Sequence, residues 1–229
     1  MKLIDLSQEI YPGMPVYDGH PQVTMTVAVT HEQREGIKNP TEINPVVHAI
    51  TLSEHTGTHI DAPNHFARQY RGQSVDKMPL EMFYTEGICL DLSHKRLKEL
   101  IEVQDIEAAL TRDGLDVKAG DTVLLCTDHF RKNFGTSEWN NGPGISAKVA
   151  RWFGNKKVAA FGVETRSPGI VGVSNKEVHL ICGEMGYSHY ENLVSLHLLV
   201  GKGRFRFIAF PLRIRGGTGS PVRAVAVIE

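Results

Sequence analysis

His55, His59, Asp61 and His65 fall in one short run, His55-Thr56-Gly57-Thr58-His59-Ile60-Asp61-Ala62-Pro63-Asn64-His65. The spacing His-x3-His-x-Asp-x3-His sets neutral nitrogen donors beside one anionic oxygen donor, the set from which a divalent transition metal draws its ligands. Imidazole suits Zn, Mn, Fe, Co and Ni, and a single carboxylate offsets metal charge while leaving positions for water. Such a centre is the chemistry of a hydrolase, because a bound divalent ion activates water and polarises a carbonyl. Hydrolysis also needs a proton carrier, and His65 suits that role because it lies beyond the ligand set and titrates near neutral pH. The chain holds 11 histidines, most of them ordinary surface or core residues, so the weight rests on the combination. Asp61 stands at the right interval, Gly57 permits an unusual backbone and Pro63 breaks regular structure.

The backbone must bring these donors together. On a helix His55 and His59 share a face but Asp61 turns away, and Gly57, the two threonines, Ile60 and Pro63 all weigh against one. On a straight strand His55 and His59 stand about 13 Å apart at roughly 3.3 Å per residue. That is too far for two bonds of about 2 Å to one ion. The spacing therefore predicts a strand that bends into a loop, with Gly57 at the unusual backbone and Pro63 ending regular structure.

The surrounding pattern supplies the scaffold. Val23–Thr30 alternates as a half-buried strand. Further strands are expected at Leu3–Leu6, Val46–Leu52, Gly87–Leu92, Thr122–Thr127, Val158–Val163, Arg204–Phe210 and Arg223–Ile228. Helical spacing runs from Gln104 to Arg112 before Gly114, from a Ser146 cap to Gly154, and from a Ser174 cap over Asn175–Cys182, which puts His179 on a helix. Segments 31–44 and 131–145, rich in polar residues, Gly, Pro and Asn, read as long loops. Strands outnumber helices and follow one another directly at both ends, so the expected fold is α/β with a mixed or antiparallel sheet and few helices. No linker or repeat divides residues 1–229, which reads as one domain.

Composition narrows the function classes. Hydrophobic residues make up 41% and charged residues 22%, as in a globular chain. A formal net charge of −1 without a long basic run implies no nucleic acid or acidic membrane as partner. The amino terminus lacks a signal-like apolar core and no stretch reaches spanning length, so a cytoplasmic protein is expected. Cys89, Cys126 and Cys182, odd in number and far apart, read as buried free thiols. No Gly-x-Ser-x-Gly elbow is present, Gly201-Lys202-Gly203 is too short for a nucleotide loop, and Gly216-Gly217-Thr218-Gly219 reads as a turn between the last two strands.

The run from His55 to His65 resembles the signature His-x-Gly-Thr-His-x-Asp-x-Pro-x-His of the cyclase-like metal-dependent hydrolases, which include bacterial kynurenine formamidase and isatin hydrolase. Similarity extends to Ile4–Ser7 and Pro12–Tyr17, to Glu177–His179 and Tyr190–Leu193, and to Pro211–Ile214 and Gly219–Ala224. The resemblance implies a swivelling β/β/α-type fold and a homodimer. It also implies one metal on His55, His59 and Asp61, with Asp61 bridging to a second metal held by His179 and Glu191. His65 then matches the general acid/base. The implied cofactor is one or two divalent ions per chain, zinc with manganese as the alternative. The implied activity is hydrolysis of a small aryl-formamide such as N-formylkynurenine. The alternatives are ring-opening of a cyclic amide or lactone and, in another class, metal or ligand binding without turnover.

Two departures bear on the substrate. Tyr17 stands where the formamidases carry a tryptophan against the substrate's aromatic ring; it can still stack, with a smaller ring and an added hydroxyl. Glu164-Thr165-Arg166-Ser167-Pro168-Gly169 only loosely follows the family's Asp-Thr segment. His48 reads as a strand histidine near the site, with an extra ligand as the alternative.

Overall fold

The chain is described here by a computed structural model covering residues 1–31 and 45–228. Along it run β1 (Lys2–Asp5), β2 (Thr24–Val29), β3 (Val47–Thr51), β4 (His59–Asp61), the short helix α1 (Pro63–Phe66) and β5 (Tyr84–Asp91). Next come β6 (Leu100–Ile101), α2 (Val103–Asp113), β7 (Thr122–Cys126), α3 (His129–Asn133), β8 (Gly144–Ile145), α4 (Ala147–Lys156) and β9 (Ala160–Val163). The remaining elements are α5 (Asn175–Met185), β10 (Ser188–Glu191), β11 (Phe205–Ile208), β12 (Gly219–Pro221) and β13 (Val225–Ile228).

Nine strands form one mixed sheet in the order β1-β13-β11-β5-β7-β9-β10-β4-β12. Its centre, β5-β7-β9-β10, is parallel, and both wings are antiparallel. The parallel pairs are the ones joined through helices, as crossover connections require. Central strands are apolar on both sides because both faces are covered. Ile88, Leu90, Val123, Leu125, Phe161 and Val163 pack under the helices, against Ile106 of α2, Phe153 of α4 and Val178 of α5. Their alternates Cys89, Leu124, Cys126 and Ala160 pack on the other face with Phe83, Tyr190 and Phe207. Among the described residues no helix is long and apolar enough to cross a membrane, and all three cysteines are buried free thiols.

The expected mixed α/β class is what forms, with corrections in detail. Val23–Thr30 is not half-buried: among the described residues β2 pairs only with β3, and both strands are exposed along nearly their whole length, because neither face of this ribbon packs on the main sheet. The stretch 131–145 is not simply a loop, since it holds most of α3, a 3-10 turn at Trp139–Asn141 and β8. Segment 31–44 lies, from residue 32 on, outside the described residues. Ser146 does cap α4, accepting from Val149 N at 3.4 Å. Ser174 does not cap α5; its hydroxyl donates to Ile145 O at 2.8 Å and accepts from Ile170 N at 3.0 Å. The helix runs on past Cys182 to Met185 and stops at Gly186 in left-handed backbone.

Candidate metal centre

The backbone around the histidine run takes the reverse of the expected order. The bend comes first, at Gly57 with φ +62°, and the strand follows as β4. Pro63 does not end regular structure but opens α1 at its first turn, where its missing N–H costs nothing. His55 therefore sits in a turn, His59 and Asp61 on a buried strand, and His65 on the helix after it. Gly57 O holds the bend, accepting from His59 Nδ1 at 2.9 Å and from Asn192 Nδ2 at 3.1 Å.

Glu191 ends β10, which pairs antiparallel with β4 in the register Tyr190↔Ile60 and Glu191↔His59. That register carries His189 opposite Asp61. Alternation then puts His59, Asp61, His189 and Glu191 on one face of two neighbouring strands. β12 closes the other side of β4, with Gly219 opposite Asp61. A Cβ at Gly219 would stand 2.7 Å from His55 Cε1, so only glycine leaves room for that ring. The Gly216–Gly219 stretch is thus not a plain turn between the last two strands; it leads into an edge strand that backs the site.

Five histidines surround the Asp61 carboxylate. Oδ1 lies 2.7 Å from His55 Nδ1 and 3.3 Å from His59 Nε2. Oδ2 lies 3.3 Å from His189 Nε2, 3.5 Å from His179 Nε2 and 3.7 Å from His65 Nε2. Glu191 adds Oε2 at 3.5 Å from His59 Nε2 and Oε1 at 3.3 Å from His189 Nε2 and 3.9 Å from His179 Nε2. Burial alone would raise the Asp61 carboxyl, but the rings of His179, His189, His55 and His59 around it hold it well below the usual carboxylate range. Asp61 is therefore an anion at neutral pH. Burial likewise depresses His59, and the Asp61 and Glu191 carboxylates more than offset it, leaving its pKa raised.

The ring nitrogens are set for coordination. His59 and His179 spend Nδ1 on backbone carbonyls, those of Gly57 and of Asn175 at 2.8 Å, which leaves each Nε2 turned to the carboxylates. At His55 the Thr218 hydroxyl donates to Glu54 Oε2 at 2.5 Å, so toward His55 Nε2, 3.0 Å away, it can only accept. His55 Nδ1 then faces Asp61 Oδ1 as an acceptor facing an acceptor, an arrangement that needs a hydrogen or a cation between them. His189 is wholly buried, and among the described residues neither of its ring nitrogens has a hydrogen-bond partner. An orphaned buried imidazole aimed at two carboxylates fits a bound cation. Two donor sets converge within 4.8 Å, His55–His59–Asp61 and Asp61–His179–His189–Glu191.

His65 stands at the rim with its side chain 36% exposed, ring centroid 4.2 Å from that of His55. Burial lowers its pKa, with Asp61 partly opposing. Tyr17 is half-buried further out, 5.3 Å from the His20 ring, which in turn lies 5.9 Å from His55. The Arg166 guanidinium lies over the Tyr17 ring at 4.6 Å, so the departing segment 164–169 touches the same wall. His48 stands exposed on β3 opposite Val27 and joins neither donor set. His189, His20 and the Glu54–Thr218 brace went unseen in the sequence. The pair His189-x-Glu191 carried a signal, since on a strand that spacing puts both side chains on one face.

A mixed α/β sheet that presents a carboxylate-centred histidine cluster at the end of paired strands defines a metal-centre protein of hydrolase type. Residues 4–169 match the Cyclase family, described as "Putative cyclase", and the chain belongs to that family. It is 28% identical to the kynurenine formamidase of Salinibacter ruber, with 98% of this chain and 97% of that one covered. Isatin hydrolase A from Ralstonia solanacearum shares 26% identity at a TM-score of 0.83, over 100% of this chain and 92% of that one. Isatin hydrolase A from Labrenzia aggregata shares the fold at a TM-score of 0.86 and 24% identity, covering 99% and 93%.

Proposed function

We propose that this protein is a metal-dependent amide hydrolase of arylformamidase type, cleaving a small aryl-formamide resembling N-formylkynurenine. The observation that carries the reading is the Asp61 carboxylate ringed by imidazoles, with half-exposed His65 3.7 Å from it at the rim. His55, His59 and Asp61 would hold one divalent ion, and Asp61, His179 and Glu191 would hold a second where two bind; zinc suits the nitrogen-rich donors, with manganese as the alternative. When bound, such an ion acts as a Lewis acid toward the amide carbonyl and draws the pKa of water toward neutrality.

The rest is the chain's own work. His65 takes a proton from the attacking water and returns it to the leaving aryl nitrogen, so that formate and an arylamine result. Its lowered pKa keeps the imidazole neutral at physiological pH, the form that accepts a proton. Tyr17 offers an aromatic wall for the ring of the substrate. Residues 1–229 work as one such domain, in the cytoplasm, where free buried thiols are at home. The β2–β3 ribbon supports a homodimer: Met25, Val27, Val47 and Ile50 are exposed on it, and a two-stranded ribbon needs a partner surface to be stable.

Ring-opening of a cyclic amide is the second reading, favoured by the likeness to isatin hydrolase A from Ralstonia solanacearum. Turnover of formyl-aryl substrates and of isatin-like rings by the metal-reconstituted enzyme separates the two. Faster turnover of the cyclic amides makes the second reading the right one. Stoichiometric metal without turnover of either class leaves a binding protein.

A further inference from the structure

His189 has no place in the donor set implied by the family resemblance, yet it is the most enclosed group of the cluster. Its ring lies between Phe66, stacked at 5.4 Å and 15°, and Phe161, tilted at 5.5 Å. These faces fix the imidazole plane and keep water from it. Nε2 stands 3.3 Å from Asp61 Oδ2 and 3.3 Å from Glu191 Oε1, but makes a hydrogen bond to neither. A donor equidistant from two acceptors and bonded to neither is aimed at the space between them. Bonds of about 2.0–2.1 Å to a tetrahedral ion set donor–donor edges of about 3.3–3.4 Å. His189 meets that spacing on both edges, and His179 Nε2 closes the figure at 3.5 and 3.9 Å from the same oxygens.

We infer that His189 is a fourth protein ligand, and that the two metal sites are of different kinds. The inference rests on the reading of the cluster as a divalent-metal centre. The inner site has four protein donors, Asp61 Oδ2, His179 Nε2, His189 Nε2 and Glu191 Oε1, which fill a tetrahedron and leave no position for water or substrate. The outer site has three, from His55, His59 and Asp61 Oδ1; among the described residues no fourth donor joins that set. That leaves a position open in this set, and the His65 ring lies 4.2 Å from that of its member His55. An ion held by these four donors would have a structural and electrostatic part, and the chemistry would belong to the outer set. A proton on His189 is the rival occupant, because the same two carboxylates would also favour an imidazolium.

Cobalt(II) titration of the metal-free full chain, followed by its visible absorption and by elemental analysis, decides between them. Two equivalents should bind. One should give a tetrahedral spectrum indifferent to azide, and the other a spectrum that azide shifts by entering the open position. His189→Phe keeps the aromatic packing and removes the donor. It should lose the azide-indifferent band while keeping the responsive one. Its inner-site affinity should fall by more than the roughly 10–100-fold typical of an outer-shell partner. A single equivalent in the wild type, two azide-responsive bands, or an unchanged inner band in His189→Phe would each overturn the inference. The wild-type spectra decide the question by themselves if His189→Phe does not fold. None of these readouts involves an amide. Failure of the formamidase reading would therefore leave a two-band wild type standing, and a one-equivalent wild type with formamidase activity would sink only the present inference.

Discussion

Glu164 follows β9 with only 1% of its surface exposed and no cation among its hydrogen-bond partners. All three of its bonds go to Oε2, from Thr127 N at 2.8 Å, Thr127 Oγ1 at 3.0 Å and His129 N at 3.2 Å. Burial pushes the carboxyl up from 4.5 to about 7 in spite of those donors, with Asp128 adding to the rise. A carboxyl whose pKa is higher folded than unfolded favours the folded state while it is protonated. Its contribution is complete below about pH 4.5 and is lost as the pH rises through about 7. The loss amounts to about 3 kcal/mol by linkage. Glu164→Gln can keep all three bonds by placing its amide oxygen where Oε2 stands, and it cannot ionise. Urea unfolding of both proteins from about pH 4 to about pH 9 isolates the residue, since other titrations cancel in the difference. The two should be close at the acid end. The variant should become more stable by up to about 3 kcal/mol above pH 7. A difference that stays flat with pH, or that favours the wild type as pH rises, would refute the placement of a buried carboxyl without a cation among its hydrogen-bond partners.

The other predictions concern the site. His59→Ala removes a donor that no neighbour can replace at a bond length of about 2 Å; metal analysis should show loss of the ion shared with His55, together with activity, and full occupancy would sink the assignment. In His65→Ala most of the metal should remain while turnover drops by on the order of 10²–10⁴-fold. Near-normal turnover with metal retained would place proton transfer elsewhere. Tyr17→Ala should weaken handling of aromatic substrates by about 1–3 kcal/mol, taking base–aromatic stacking as the scale. Equal losses on aromatic and aliphatic formamides would show that Tyr17 only packs against His20 and Arg166.

What the sequence made legible follows the range of the interactions involved. The histidine run and the strands of the parallel centre depend on neighbours a few residues away, so their patterns stand in the chain itself. Glu191 illustrates the limit. Read alone it is an acidic residue after a helix, and only the pairing of β10 with β4 makes it the end of a buried strand facing His59. His189 was missed for the same reason, because its meaning lies in being opposite Asp61 across a ladder closed over more than a hundred residues of chain. β12, written Gly219-Ser220-Pro221, has almost no strand propensity; it is a strand because β4 offers an edge and because His55 tolerates only a glycine beside it. The ribbon is the opposite case. Alternation in β2 correctly announced a strand, but alternation reports what a sequence is able to bury, and here the other described residues do not supply the burying surface. The same argument bears on the site. A one-residue slip between β4 and β10 would turn His189 and Glu191 away together, so the buried Ile60–Tyr190 pair that fixes the register also fixes the donor set. Substitutions at those two apolar positions belong with the metal chemistry, although neither side chain carries a ligand.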